Sequence, residues 1–127
     1  MRMNDQPRAQ IDTAQFDRLL VMAGPVLAAS LIAQLQTDLS TAQHKLQGAA
    51  QPLDWMQIQA QSHVVMGLAA TMGAENLRQL AKGLNDMAHH PVPDLQISTA
   101  QVTDIGQAID VALAFLSQFA SGARVAR

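Results

Sequence analysis

The sequence predicts an all-α fold: an antiparallel four-helix bundle with a short additional N-terminal helix. Three observations predict it. The 127 residues are 49% hydrophobic but only 3% aromatic, with no tyrosine. Ala, Leu, Gln and Met dominate instead, and these favour helix over strand. Apolar residues recur at steps of three and four along several long segments, the mark of one buried helix face. The segments are joined by short connections that contain Gly or Pro, the geometry of antiparallel neighbours in a bundle. No strand, repeat or second domain is visible. The bundle is expected over residues 11–120, with flexible tails at 1–10 and 121–127.

Asp12 opens the first, short helix. It can cap, Gln15 completes a capping box three residues on, and Ile11 with Phe16 forms a hydrophobic staple. The helix passes through Leu19, Leu20 and Ala23 and ends at Gly24. Pro25 suits the first turn of the next helix. That helix is long, from Pro25 to Gln47, with the stripe Ala28, Leu31, Leu35, Leu39, Ala42 and Leu46. Gly48 stands where a left-handed C-terminal cap is preferred.

The third helix repeats the grammar of the first. Asp54 caps, Gln57 follows three later, and Leu53 and Ile58 make the staple. Its stripe is Trp55, Ile58, Ser62, Val65, Ala69 and Met72, and it stops near Gly73. The fourth runs from Ala74 to Ala88 on Leu77, Leu80, Leu84 and Met87. The breaker Pro91-Val92-Pro93 follows. The last opens at Ser98 or Thr99, with the stripe Val102, Ile105, Ile109, Ala112, Leu116 and Phe119.

Charge and composition narrow the function. The net charge is −2 and there is no basic tract, which argues against nucleic acid as a partner. Without cysteine, neither a disulfide framework nor a thiolate metal site is expected. The start, Met1-Arg2-Met3-Asn4-Asp5, lacks the apolar core of a signal peptide. The most apolar stretch, Leu19 to Ala33, is interrupted by Gly24-Pro25 and is too short for a bilayer. A soluble cytoplasmic protein, without membrane contact, is expected. His89-His90 end the fourth helix, where cations suit the helix dipole. No third ligand stands at metal spacing, and the stripes hold no inward-facing ligand of the kind a cofactor bundle needs.

One helix breaks its own pattern on the outer face. At about 100° per residue, His63 lies far round from the stripe of the third helix, and Gly67 lies nearly opposite that stripe. Helix propensity alone disfavours such a glycine by about 1 kcal/mol relative to Ala, and local rules of this kind are broken at functional sites. His63-Val64-Val65-Met66-Gly67, then Gly73-Ala74, then Leu77, resembles the signature of histidine-phosphotransfer (HPt) domains. There the pattern is His, two mostly apolar residues, Lys, Gly, and a second Gly opening the next helix. Asp54-Trp55 stands where that family carries an acidic-aromatic pair. The resemblance spans roughly Pro25 to Asn85. The family's Lys is Met66 here.

The resemblance implies a site and its partners. His63 would be the phosphoacceptor of a multistep phosphorelay, taking a phosphoryl group from a receiver-domain aspartate and passing it to another receiver. Asn85 stands at the position of the polar amide that bonds the imidazole in the family. With Met66 replacing the cation, Lys82, with Arg78 on the same side of the fourth helix, is the residue placed to offset phosphoryl charge. Met56, Gln59, Val64, Met66, Gly67 and Ala70, rimmed by Gln61 and Asn85, form the expected docking surface; methionines suit such surfaces because they repack readily. The partners would be response-regulator receivers and a hybrid histidine kinase. The domain would be a covalent carrier with no cofactor and no independent enzyme activity, and Mg²⁺ would belong to the receiver. The alternative is a non-phosphorylated, degenerate HPt bundle that binds a signalling partner through the same surface.

Overall fold

The structure is a computed structural model and describes residues 12–50, 53–90 and 95–120, with the side chains of the last segment described over 99–119. The two expected tails, Ile11 of the first staple and the Pro91-Val92-Pro93 breaker lie outside the described residues. The described residues form four helices and no strand: α1 (Thr13–Ala49), α2 (Trp55–Met72), α3 (Glu75–Ala88) and α4 (Leu95–Ala120). They build a helical bundle. α1 packs on α2 and α4, and α3 packs on the same two, so the four helices pair as neighbours around a ring.

The two expected caps start their helices. The Asp12 carboxylate accepts the Gln15 backbone N–H at 3.0 Å, and Asp54 accepts that of Gln57 at 3.1 Å. Each such cap contributes about 1 kcal/mol. The short N-terminal helix does not emerge as a separate element. Residues from Thr13 belong to α1, whose backbone leaves helical geometry at Gly24 (φ 84°, ψ 164°). Only glycine adopts that conformation readily, and Pro25, next in line, has no N–H to leave unpaired. The chain therefore bends at the expected boundary.

The arm before the bend lies against one end of the bundle. Asp12 N–H donates to Gly73 O at 2.8 Å, and the Gln15 amide donates to Ala70 O at 3.3 Å. Phe16 is fully buried, with ring centroids 5.7 Å from Phe115 and 5.4 Å from Phe119. Gly73 closes α2 in the left-handed region (φ 72°). A Cβ there would lie 3.0 Å from Asp12 Cβ, so the docked arm and the cap both call for glycine.

Several boundaries and stripe positions differ from expectation. Gly48 is not a left-handed cap: α1 continues to Ala49, and Ala50 caps it with right-handed geometry (φ −78°, ψ −23°). Ala49 is buried in the core, and its carbonyl accepts Asp54 N–H at 2.8 Å, so packing holds the two extra residues in the helix. The buried residue near the top of the α1 stripe is Ile32 rather than Leu31, which is half-buried with Ala28. On α3 the buried residues are Leu77, Ala81, Leu84 and Ala88, with Leu80 and Met87 half-buried beside them. Small alanines face the core where two helices approach closely. α4 opens at Leu95, upstream of Ser98 or Thr99; Leu and Gln are good helix formers, and they carry the helix past two hydroxyl residues that resemble caps. Trp55 and Phe119 are half-buried at the ends of their stripes.

Candidate functional site

α2 buries Ile58, Ser62, Val65, Ala69 and Met72. Its outer face presents Met56, Ala60, His63, Val64, Gly67, Ala70 and Thr71 to solvent. His63 is exposed, and no hydrogen bond to its ring is found among the described residues. Gly67, one turn on, has open space around it: a Cβ built there meets nothing within 4 Å. The Gly67 carbonyl accepts the Thr71 hydroxyl at 3.1 Å. No packing reason demands glycine at this position.

The expected docking residues divide. Met56 is 79% exposed and Val64 41% exposed, a large apolar surface on either side of His63. Ala70 is exposed, though its carbonyl holds the Gln15 amide. Gln59 is half-buried and turned towards α3, its amide donating to Ala88 O at 2.9 Å. Gln61 is held along its own helix by Gln57 Oε1 at 3.0 Å. Met66 is half-buried and packs against the core, so it lies at the edge of the face that carries His63.

Asn85 does reach α2, but one step inward of His63. Its amide nitrogen donates to Gln59 O at 3.1 Å and to Ser62 Oγ at 3.0 Å. The two N–H groups are thereby used on the residues before the histidine rather than on its ring. Ser62 in turn donates to Gln59 O at 3.1 Å. This polar link between α2 and α3 was not foreseen. Its signal in the sequence is the one hydroxyl in an otherwise apolar stripe.

The expected cation is engaged elsewhere. Lys82 Nζ lies 2.8 Å from Asp86 Oδ2, along α3. Arg78 forks onto Glu75 through Nε and Nη2 at 2.9 and 2.7 Å. The Arg78 hydrogen bonds, with one from Gln79, hold the Glu75 carboxyl down at about 2, and Glu75 raises Arg78 in return. Glu75 sits in the first turn of α3, where a negative charge also suits the helix dipole.

His89 and His44 are tied to their own helices. His89 Nδ1 donates to Asn85 O at 2.8 Å, and His44 Nδ1 lies 3.3 Å from Ser40 O. Among the described residues no group of three His, Cys, Asp or Glu side chains is placed to hold a metal ion. α1 is long and apolar enough to cross a membrane by length and composition, and 11% of its most apolar window is buried. No family model, no curated protein and no solved structure was found to match the chain.

Proposed function

We propose that the protein is an HPt-type carrier in a phosphorelay, with His63 as the phosphoacceptor. The observation that carries the reading is the pairing of an exposed, unengaged imidazole with an open glycine one turn away, on the outer face of a helix whose inner face is fully packed. An imidazole nitrogen attacks the phosphorus of an aspartyl phosphate. The N–P bond forms, the acyl O–P bond breaks, and the aspartate leaves as a carboxylate. Such transfer depends on positioning and charge stabilisation more than on covalent work by the carrier. A receiver domain with its Mg²⁺ is the partner that would bring most of the charge stabilisation. The antiparallel four-helix bundle of that family fits the pairing of α1 to α4, with the arm before Gly24 as its additional N-terminal helix. A cytoplasmic location goes with this reading.

The engagement of Lys82 by Asp86 and of Arg78 by Glu75, with Met66 in place of the family's Lys, favours a second reading, because neither of these α3 cations is thereby offered to a phosphohistidine. It is a non-phosphorylated, degenerate HPt bundle that binds a signalling partner through the same face. One experiment separates the two. The chain is incubated with a receiver domain phosphorylated by acetyl phosphate in Mg²⁺. Acid-labile, base-stable label on the wild type and none on His63→Gln supports the carrier. Stable complex formation without label supports the adaptor. Label retained in His63→Gln would sink both, since the acceptor would then be another histidine.

A further inference from the structure

We infer that the bend of α1 is a self-association surface, through which a second copy of this chain packs two-fold against the first. Val21 and Met22 before Gly24, and Val26 and Leu27 after it, are exposed by 80, 84, 81 and 63%. They bracket the bend and form one apolar end of the molecule.

The helix lengths explain why this end is bare. The straight part of α1, Pro25–Ala49, is about 37 Å long at 1.5 Å per residue, whereas α2 is about 27 Å. α1 and α2 are level at the Ala49–Asp54 connection. Counting back from there, α2 ends beside Ile32, which is the first buried residue after the bend. Residues 25–31 therefore overrun their neighbour. The arm buries Phe16 against Phe115 and Phe119 but leaves its own Val21 and Met22 outside.

Area and charge argue for a second copy as the occupant. Burying one such side chain removes on the order of 100 Å² from water, so the four offer roughly 300–400 Å² per copy. Two copies, with Pro25 and Ala29 beside them, approach the ~1,000 Å² at which specific interfaces begin. The contact is thus sized for a weak, reversible dimer. No ionisable residue lies between Arg18 and Asp38. A two-fold contact sets a patch against itself, so any charge there would face its own sign, and none does. A lipid surface is the less suited occupant, because membrane-surface helices are rich in Lys and Arg on the face beside the apolar one, and Arg18 is the one basic residue that borders this stretch. The proposal is independent of phosphotransfer, for His63 lies several turns away on α2.

The test is sedimentation of the full chain from micromolar to millimolar concentration. The weight-average mass is expected to climb from 13.6 kDa towards twice that value, and to stay monomeric in Val26→Asp with an unchanged melt. Because the chain has no cysteine, Val26→Cys supplies a second measurement. With oxidised glutathione as the oxidant, it should form an interchain disulfide about tenfold or more faster than Thr37→Cys, an exposed control away from the bend. A constant monomer mass, a dimer untouched by Val26→Asp, or equal crosslinking at both positions overturns the proposal. So does Val26-dependent sedimentation with phosphatidylcholine vesicles by a chain that stays monomeric, which would assign the surface to lipid.

Discussion

The Asn85 amide reaches across from α3 and donates to Ser62 Oγ at 3.0 Å, immediately before the exposed His63 on α2. Ser62 is fully buried and is the one polar residue in the buried stripe of its helix. The link fixes the rotational setting of α2 against α3, and so the direction in which His63 faces.

Asn85→Ala should therefore lower stability by about 1–2 kcal/mol, the range for removing a part-buried hydrogen-bonding partner. Thermal melting measures the loss. The ¹⁵N spectrum of the His63 ring should keep its tautomer ratio, because the Asn85 N–H groups are spent on Gln59 O and Ser62 Oγ. A changed ratio with unchanged stability would mean that the amide serves the imidazole after all.

Met66→Lys should lengthen the lifetime of phosphorylated His63. Met66 is half-buried at the core edge, and a lysine there can lay its stem along the apolar surface while its ammonium reaches solvent beside the histidine. The lost packing should cost roughly 1 kcal/mol, visible as a lower melting temperature. Decay of the acid-labile label with time gives the lifetime. An identical decay in wild type and variant would show that charge at this position is immaterial.

The Glu75 carboxyl should titrate with a midpoint of about 2, since Arg78 and then Gln79 hold its charged form by hydrogen bonds. Its folded-state value is depressed, so the stability it contributes is fully present above the ordinary glutamate value of about 4.3 and is lost as pH falls towards 2. Glu75 is exposed, so salt should weaken the effect. Carboxyl ¹³C shifts follow the titration, and Arg78→Ala should return the midpoint towards the ordinary value. A wild-type midpoint already near that value would show that the fork with Arg78 does not persist in solution.

Helices, caps and the bend were legible because each rests on neighbours within a few residues. Asp12 and Asp54 cap their own first turns, and Gly24-Pro25 bends the chain wherever it is placed. The exact inner face was less legible. Ile32 displaces Leu31, and Ala81 and Ala88 displace Leu80 and Met87, because the approach of a neighbouring helix decides whether a large or small side chain faces inward. The outward position of His63 followed from periodicity, but the engagement of Asn85 did not. Whether an amide meets a ring or a hydroxyl one residue away depends on the rotation of two helices about their axes. The bare end at Val21, Met22, Val26 and Leu27 was hidden for a similar reason: an apolar run looks buried until the lengths of its neighbours are known.

Gly67→Gln should separate stability from function. The site has no neighbour within 4 Å of a Cβ, so a side chain can leave the helix there without displacing a neighbour at its root. Glycine inside a helix costs about 1 kcal/mol relative to a good helix former, partly through the freedom of the unfolded chain. The variant should accordingly melt at the same temperature or a few degrees higher. Its side chain, however, would rise one turn from His63 into the space that a receiver must enter. The imidazole nitrogen and the phosphorus must come within about 3–3.5 Å for transfer, so a bulge of a few ångströms on this face should slow transfer by a large factor. A melt and a transfer time course on the same preparation measure both. Equal or raised stability with lost transfer supports a docking glycine. Lowered stability would mean that Gly67 meets a neighbour in solution. Unchanged transfer would mean that the partner approaches from another side, and the α2 face would no longer be the docking surface.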